Sequence, residues 1–360
     1  MSAPAAAGIV AAAALTAGML TWGVLHYAVA RNVVAVANAR SSHQGKTPVG
    51  GGLAIVLVAV AFELGLGWTG RLSPEVALAL AGGGAAVAAI GWVDDHAGGR
   101  GGVHALARAA VHFAAAAWAL WCLGGLPELR TGTGSVPLGL VGTVLAAFGI
   151  VWSTNLYNFM DGIDGLAAGE AVSAGLVGAV LLLATGEPGL AGTALAVAGA
   201  SLGFLKWNWS QARIFMGDVG SYFLGFTFAV LAVASERAGA VPLLAWMVLL
   251  GVFVFDATAT LVRRVRRGER FHQAHRSHAY QRAAIAVRSH ARVSGAVQAL
   301  NLVLALLAAA GTLRPGWLPW TVGAAVVILA ALYLVIERRW PMHAGTGPDV
   351  PGSTLAPRAR

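Results

Sequence analysis

Of the 360 residues in this chain only 15 are Asp or Glu. Five of them, Asp94, Asp95, Asp161, Asp164 and Asp218, stand at the edges of apolar runs, where a bilayer would meet its polar face. Burying a charge at full depth in a membrane costs roughly 2.5 to 3.5 kcal/mol. Carboxylates placed there need a compensating cation, and a divalent ion shared with phosphate oxygens is the chemistry they suit.

Asp94 and Asp95 follow the run Ala89-Ile90-Gly91-Trp92-Val93. Consecutive helical residues point about 100° apart, so both reach one ligand only at a helix end. Two solvated loop carboxylates are the plain alternative. The stretch Asn155-Leu156-Tyr157-Asn158-Phe159-Met160-Asp161-Gly162-Ile163-Asp164-Gly165 spaces four polar side chains three apart. A helix would gather Asn155, Asn158, Asp161 and Asp164 loosely on one face, with Gly162 and Gly165 letting a ligand approach the backbone. A helix C-cap followed by two turn aspartates is the competing reading.

A third stretch, Arg213-Ile214-Phe215-Met216-Gly217-Asp218-Val219-Gly220-Ser221, leads into an apolar run. Its free backbone N–H groups and positive helix end would suit a phosphate, with Asp218 bringing a metal. Asp218 and Ser221 would serve equally as N-caps, and Phe215 as packing or as a stacking platform. The longest basic segment holds Arg263, Arg264, Arg266 and Arg267, then His275, Arg276 and His278. Its arginines suit a diphosphate, although a basic run after a span also fixes topology and attracts anionic lipid. That explanation leaves over the cluster of His275, Arg276 and His278. Lys46 lies in a glycine-rich approach to a span, and Arg108 and His112, one turn apart, would point back toward the paired aspartates; singly, such residues read as snorkelling and packing.

Apolar helices must position these groups. The chain is 58% hydrophobic and 11% charged with a mean hydropathy of +0.72, far from the roughly 25% charged residues of a soluble domain. Apolar runs of about 17 to 25 residues, each able to cross a bilayer, recur from end to end. They predict an all-α, polytopic membrane bundle of about eleven spans, near 4–30, 50–68, 76–93, 104–123, 136–156, 166–185, 189–206, 220–236, 240–262, 293–312 and 316–337. Residues 1–340 read as a single integral-membrane domain and 341–360 as a flexible tail.

The net charge of +9 does not imply nucleic acid, because the charges sit in short loops rather than on one continuous face. Only Arg71, Arg130, Arg237 and Arg314 lie on one side; the other 20 of the 24 basic residues fall on the opposite side. The richer side is then cytoplasmic, which puts the N-terminus outside, the C-terminus inside and the loops 31–49, 94–103, 157–165, 207–219 and 263–292 in the cytoplasm. The first span lacks a basic n-region and reads as retained. The lone Cys122 permits no internal disulfide, and no internal repeat suggests a transporter.

These stretches, in this order, resemble the polyprenyl-phosphate N-acetylhexosamine-1-phosphate transferases of glycosyltransferase family 4, over nearly the whole chain. The motifs at 155–165 and 213–221 carry most of the likeness, and His275-Arg276-Ser277-His278-Ala279-Tyr280-Gln281 looks like the O-antigen-initiating branch. The resemblance implies a bacterial inner-membrane enzyme that takes an N-acetylhexosamine-1-phosphate from a UDP-sugar to undecaprenyl phosphate and releases UMP, with Mg2+ as cofactor and Mn2+ as a substitute. It implies that Asp218 and Asn158 hold the metal, that Asp94 and Asp95 work at the lipid phosphate, and that Asp161 and Asp164 line the cleft. His275, Arg276 and His278 would grip the donor; Lys46, Arg108, Asn155 and Phe215 are the remaining substrate-binding candidates.

The related peptidoglycan enzyme carries a lysine three residues after its second paired aspartate and a run of histidines in the long loop. Here Gly98 and His-Arg-Ser-His stand instead, which favours a GlcNAc, FucNAc or QuiNAc donor over phospho-MurNAc-pentapeptide. The implied partners are the UDP-N-acetylhexosamine, undecaprenyl phosphate and the bilayer, with a homodimer left open. A membrane transporter is the rival from another class, and would place its acids near the bilayer midplane. The CDP-alcohol phosphotransferases are disfavoured because their D-G-x-x-A-R type motif is absent.

Overall fold

The computed structural model describes residues 1–34, 47–97, 102–269 and 276–342. Lys46, His275 and most of the expected tail lie outside the described residues. The chain forms α1 (Ala3–Ala30), α2 (Leu53–Trp68), α3 (Pro74–Ala97), α4 (Ala105–Leu123), the strands β1 (Glu128–Arg130) and β2 (Ser135–Pro137), and then α5 (Gly139–Met160) and α6 (Leu166–Ala184). It continues with α7 (Pro188–Asn208), α8 (Asp218–Arg237), α9 (Leu243–Leu249), α10 (Gly251–Arg266), α11 (Ala279–Val287), α12 (His290–Leu313) and α13 (Leu318–Arg339). The strands make one short antiparallel hairpin, Glu128 opposite Pro137. The chain is a polytopic helical membrane protein: nine of the described helices are long and apolar enough to cross a bilayer.

Local chemistry sets the helix ends. The Ser2 hydroxyl accepts from the Ala5 N–H at the start of α1, Pro188 occupies the first turn of α7, and Gly124, at φ 73°, closes α4 in a left-handed cap that only glycine adopts without strain. α8 is the most buried span, 89% of its apolar window lying inside the bundle. It packs against α3 and α5 through small residues. A Cβ at Gly84 would meet the Phe223 ring, and one at Gly225 would meet the Ser153 carbonyl. In lipid, where helices gain little from hydrophobic transfer, such close approach is what makes them adhere.

Three expectations need correction. The span expected at 50–68 is a helix of only 16 residues, because Gly50 to Gly52 form a turn before it. The span expected at 240–262 is broken into α9 and α10, which meet at 83°. Leu250 leaves helical geometry at φ −93°, ψ 17°, and Leu304 of α12 and Leu329 of α13 lie against Gly251 in the elbow. The long basic loop is not all loop, since α11 forms within it.

The polar loops gather at one end of the bundle. There the Phe215 N–H donates to the Pro48 carbonyl at 2.9 Å, Gln211 and Ala212 donate to Asp164, and the Tyr280 hydroxyl donates to the Phe159 carbonyl at 2.8 Å. The other end is closed by Glu236, whose side chain is 2% exposed. It accepts from the Arg130 N–H at 2.6 Å, the Arg130 guanidinium and the Leu243 N–H at 2.7 Å, so one carboxylate holds the hairpin and the start of α9. Breaking a buried pair by removing one partner typically costs ~3 to 5 kcal/mol. Glu236→Ala should therefore lower the melting midpoint followed by circular dichroism in detergent, and an unchanged midpoint would show that the latch carries no stability.

Candidate active site

The site forms where the C-terminal ends of α3 and α5 meet the N-terminal ends of α4 and α8. α3 and α8 approach so closely at Gly91 that a Cβ there would lie 2.5 Å from the Asp218 carbonyl carbon. Next to that contact Asp95 accepts from the Asp218 N–H at 2.9 Å and the Val219 N–H at 3.2 Å. An anion at a helix N-terminus satisfies orphan donors and meets the positive end of the helix dipole. Asp95 thus caps α8 from another helix, and Gly217, at φ +78°, leaves room for its carboxylate.

The expectation of a phosphate on the α8 amides is corrected by the same bonds. The Asp218 and Val219 N–H groups are taken by Asp95, and those of Gly220 and Ser221 turn back to the Gly217 carbonyl.

Asp94, on the neighbouring face of α3, points elsewhere. Its Oδ1 accepts from the Val103 N–H at 2.6 Å and its Oδ2 from Arg108 Nη1 at 2.5 Å. The same guanidinium nitrogen lies 4.0 Å from Asp218 Oδ2. Asp218 is also approached from α5, where Asn158 Nδ2 donates to its Oδ1 at 2.7 Å and to the Ser221 hydroxyl at 2.9 Å. Arg108, Asp94, Asn158 and Asp218 therefore form one polar cluster, in which, among the described residues, one guanidinium lies between two carboxylates. Asn155, one turn back, bonds the Val151 carbonyl at 2.7 Å and His112 at 3.3 Å. His112 stands edge-on to Tyr222 with centroids 4.7 Å apart.

The four polar residues spaced three apart do not share a helical face. α5 ends at Met160, and Asp161 caps it at φ −88°, ψ 51°, so only Asn155 and Asn158 are stacked. Asp161 is half-buried beyond the helix, and its carboxyl is pushed up to about 7 by burial, then by the charges of Asp218 and Asp164. Asp164 is buried, and its Oδ2 accepts from the Gln211 and Ala212 N–H groups at 3.0 and 3.2 Å and lies 3.3 Å from His290 Nδ1. It ties the loop after α5 to the segment before α8 and to the first residue of α12. Gly162 and Gly165 face protein, a Cβ at either meeting Tyr280 Oη or the Trp209 ring.

His278 is also reassigned. It is 3% exposed, caps α11 in a reciprocal box with Gln281, and holds Nδ1 3.5 Å from Asp256 Oδ1. Asp256 accepts from the Ala279 and Tyr280 N–H groups at 2.9 and 3.0 Å, repeating on α11 what Asp95 does on α8. Tyr280 then ties α11 to the end of α5. Arg276 is exposed, and Phe215 is half-buried with its backbone paired to Pro48 and Gly51. Asp256 and His290 are the structural residues that sequence reasoning passed over. An aspartate inside an apolar span was the available signal for the first.

Among the described residues no three His, Cys, Asp or Glu side chains converge on one metal position. Two carboxylates and an amide do fit Mg2+, which keeps several waters and shares its shell with substrate phosphates. Ligation by Asn158 requires its Oδ1 to face inward, a half-turn of the amide.

Two outcomes follow. Gly91→Ala forces α3 off α8 and should destabilise by about 1 to 3 kcal/mol, as overpacking does, read as a lowered melting midpoint. Asp161 binds its proton more tightly folded than unfolded, so stability falls as pH rises from about 3.8 toward about 7 and stays lowered above it. Asp161→Asn should therefore raise the melting midpoint in chelator at pH 8 and change it little at pH 4. A variant that melts below the parent at pH 8 would contradict this assignment.

A sequence model of glycosyl transferase family 4 matches residues 77–236, the segment that supplies Asp94, Asp95, Arg108, Asn158 and Asp218. Over 147 residues the chain is 35% identical to the Bacillus subtilis (strain 168) protein named "Probable undecaprenyl-phosphate N-acetylglucosaminyl 1-phosphate transferase", covering 40% of this chain and 41% of that one. Over 242 residues it is 34% identical to a phospho-N-acetylmuramoyl-pentapeptide-transferase of Synechococcus sp. (strain JA-3-3Ab), covering 64% and 67%. A protein of the same name from Moorella thermoacetica is 39% identical over 126 residues, 35% of this chain and 38% of its own length. The matches span from 38% to 67% of these relatives. With the motif segments, the helical membrane fold and the clustered carboxylates in agreement, the chain belongs to glycosyl transferase family 4.

Proposed function

We propose that this chain transfers an N-acetylhexosamine-1-phosphate, of the GlcNAc, FucNAc or QuiNAc type, from a UDP-sugar to undecaprenyl phosphate on the cytoplasmic face of a bacterial inner membrane. The reading rests on one observation: Asp94 and Asp218, brought from different helices, flank the single guanidinium of Arg108 with Asn158 alongside. In the reaction a lipid phosphate oxygen forms a bond to the sugar-linked phosphorus while the anhydride bond to UMP breaks. One phosphoanhydride replaces another. The catalytic task is to bring two anions together and offset the charge that moves onto the departing UMP.

Arg108 serves as the fixed cation of that task. Asp94 already accepts from Val103 and Arg108, so it orients the guanidinium toward the lipid phosphate. Asp218 and Asn158 would hold Mg2+, which would neutralise the donor diphosphate and the leaving group. Asp95 and Asp164 act on the backbone and position these groups. Helix-end placement of Asp94 and Asp218 speaks for transfer at a membrane surface and against a transporter.

A second reading has specific support: two of the relatives compared are named phospho-N-acetylmuramoyl-pentapeptide-transferases. Gly98 and the histidine pattern speak for the plain sugar instead. The deciding assay offers undecaprenyl phosphate with UDP-GlcNAc, UDP-FucNAc, UDP-QuiNAc and UDP-MurNAc-pentapeptide, each with Mg2+ and with chelator. Product from a plain N-acetylhexosamine donor with Mg2+ alone is expected, and product from the pentapeptide donor alone would transfer the assignment to the second reading. Asp218→Asn should lower the rate about 10²- to 10³-fold, the usual cost of one electrostatic group at a transition state. A near-parental rate would remove Asp218 from the chemistry.

A further inference from the structure

α1 and α7 cross through small residues, and a Cβ at Gly199 or Gly203 would overlap the carbonyls of Val10 or Ala14. Toward the end that carries Asp94 and Asp218 large rings replace them. The Trp207 Nε1–H donates to the Gly18 carbonyl at 3.1 Å, and Tyr27 stacks with Trp92 of α3 at 6.2 Å. Between the helices lies an open groove of about 1250 Å3, walled by apolar side chains including Met19, Trp22, Val24 and Leu202, with Lys206 as its basic lining residue.

Two cations share the Trp207 ring beside this groove. Lys206 Nζ is 5.9 Å and Arg213 Cζ 5.8 Å from its centroid, within the range of cation–π attraction. Both side chains are exposed, and among the described residues neither has a carboxylate within ion-pair distance. Two exposed basic side chains beside the mouth of this groove, with no acid paired to either among the described residues, are complementary to an anion. An apolar wall running away from them is complementary to hydrocarbon. Aromatic rings at that depth are usual anchors at the lipid interface.

We propose that this groove binds an anionic phospholipid, its phosphate held by Lys206 and Arg213 and an acyl chain lying between α1 and α7. The site is separate from the transfer site. Trp92 and His96 occupy the α1-facing side of α3, with rings 3.9 Å apart, whereas Asp94 faces Arg108 of α4 and Asp95 faces α8. The proposal depends on the chain spanning a membrane and not on its transferase chemistry.

The test uses the full chain, purified in detergent and stripped of lipid, with bound lipid read by native mass spectrometry. Phosphatidylglycerol should be retained more tightly than phosphatidylcholine. The double substitution Lys206→Gln and Arg213→Gln should weaken phosphatidylglycerol about 30-fold, since each basic side chain beside an anionic headgroup contributes ~1 kcal/mol, and should leave phosphatidylcholine unchanged. Leu202→Trp, which fills the groove and keeps both cations, should displace both lipids, and it decides the matter if the double variant folds poorly. Equal retention of the two lipids, or phosphatidylglycerol unaffected by Leu202→Trp, would overturn the proposal. So would displacement of phosphatidylglycerol by equimolar undecaprenyl phosphate, because the groove would then belong to the acceptor.

Discussion

The carboxylate of Asp95 across the N-terminus of α8 is the contact on which the site depends. It joins two spans far apart in sequence, at a separation for which positions 91 and 217 must be glycine. With α3 and α8 fixed, Asp94 and Asp218 stand on either side of Arg108. Without that anion, two N–H groups at the start of a buried helix would lose their partner, a cost that membrane surroundings raise.

The same device appears a second time. Asp256 receives the first N–H groups of α11, and Tyr280 carries that helix to the end of α5 beside Asn158. Asp164 does comparable work between loops, accepting two backbone N–H groups of the segment before α8. Acids that satisfy backbone donors build the frame, and acids that face Arg108 carry the charge. One residue type serves both purposes because a carboxylate accepts equally from an amide, a guanidinium or a cation's waters.

The two ends of the bundle use charge differently. At the end away from the site, Glu236 and Arg130 neutralise one another and close a hairpin, and Arg237 donates to the Gly124 and Gly125 carbonyls. At the site end, the Asp94–Arg108 pair is met by a further carboxylate, Asp218, at 4.0 Å. Among the described residues the acids there outnumber the base, which favours a cation, in keeping with chemistry between phosphates.

Composition alone determined that this is a membrane bundle, because apolar runs long enough to cross a bilayer leave a polypeptide no other way to satisfy its backbone. The breaks between those runs located most helices to within a few residues, and the family resemblance pointed to Asp94, Asn158 and Asp218 as parts of one site. The elbow at Leu250 and the helix α11 were not legible, since both depend on what packs against them from α12, α13 and Asp256. Nor could spacing say which aspartates are free to act. Asp94 and Asp95 are adjacent and identical in type, and only the packing of α3 against α8 turns one toward a guanidinium and the other onto a helix end. Direction around a helix axis is fixed by partners distant in sequence, and that is why the division of labour among the carboxylates belongs to the tertiary structure.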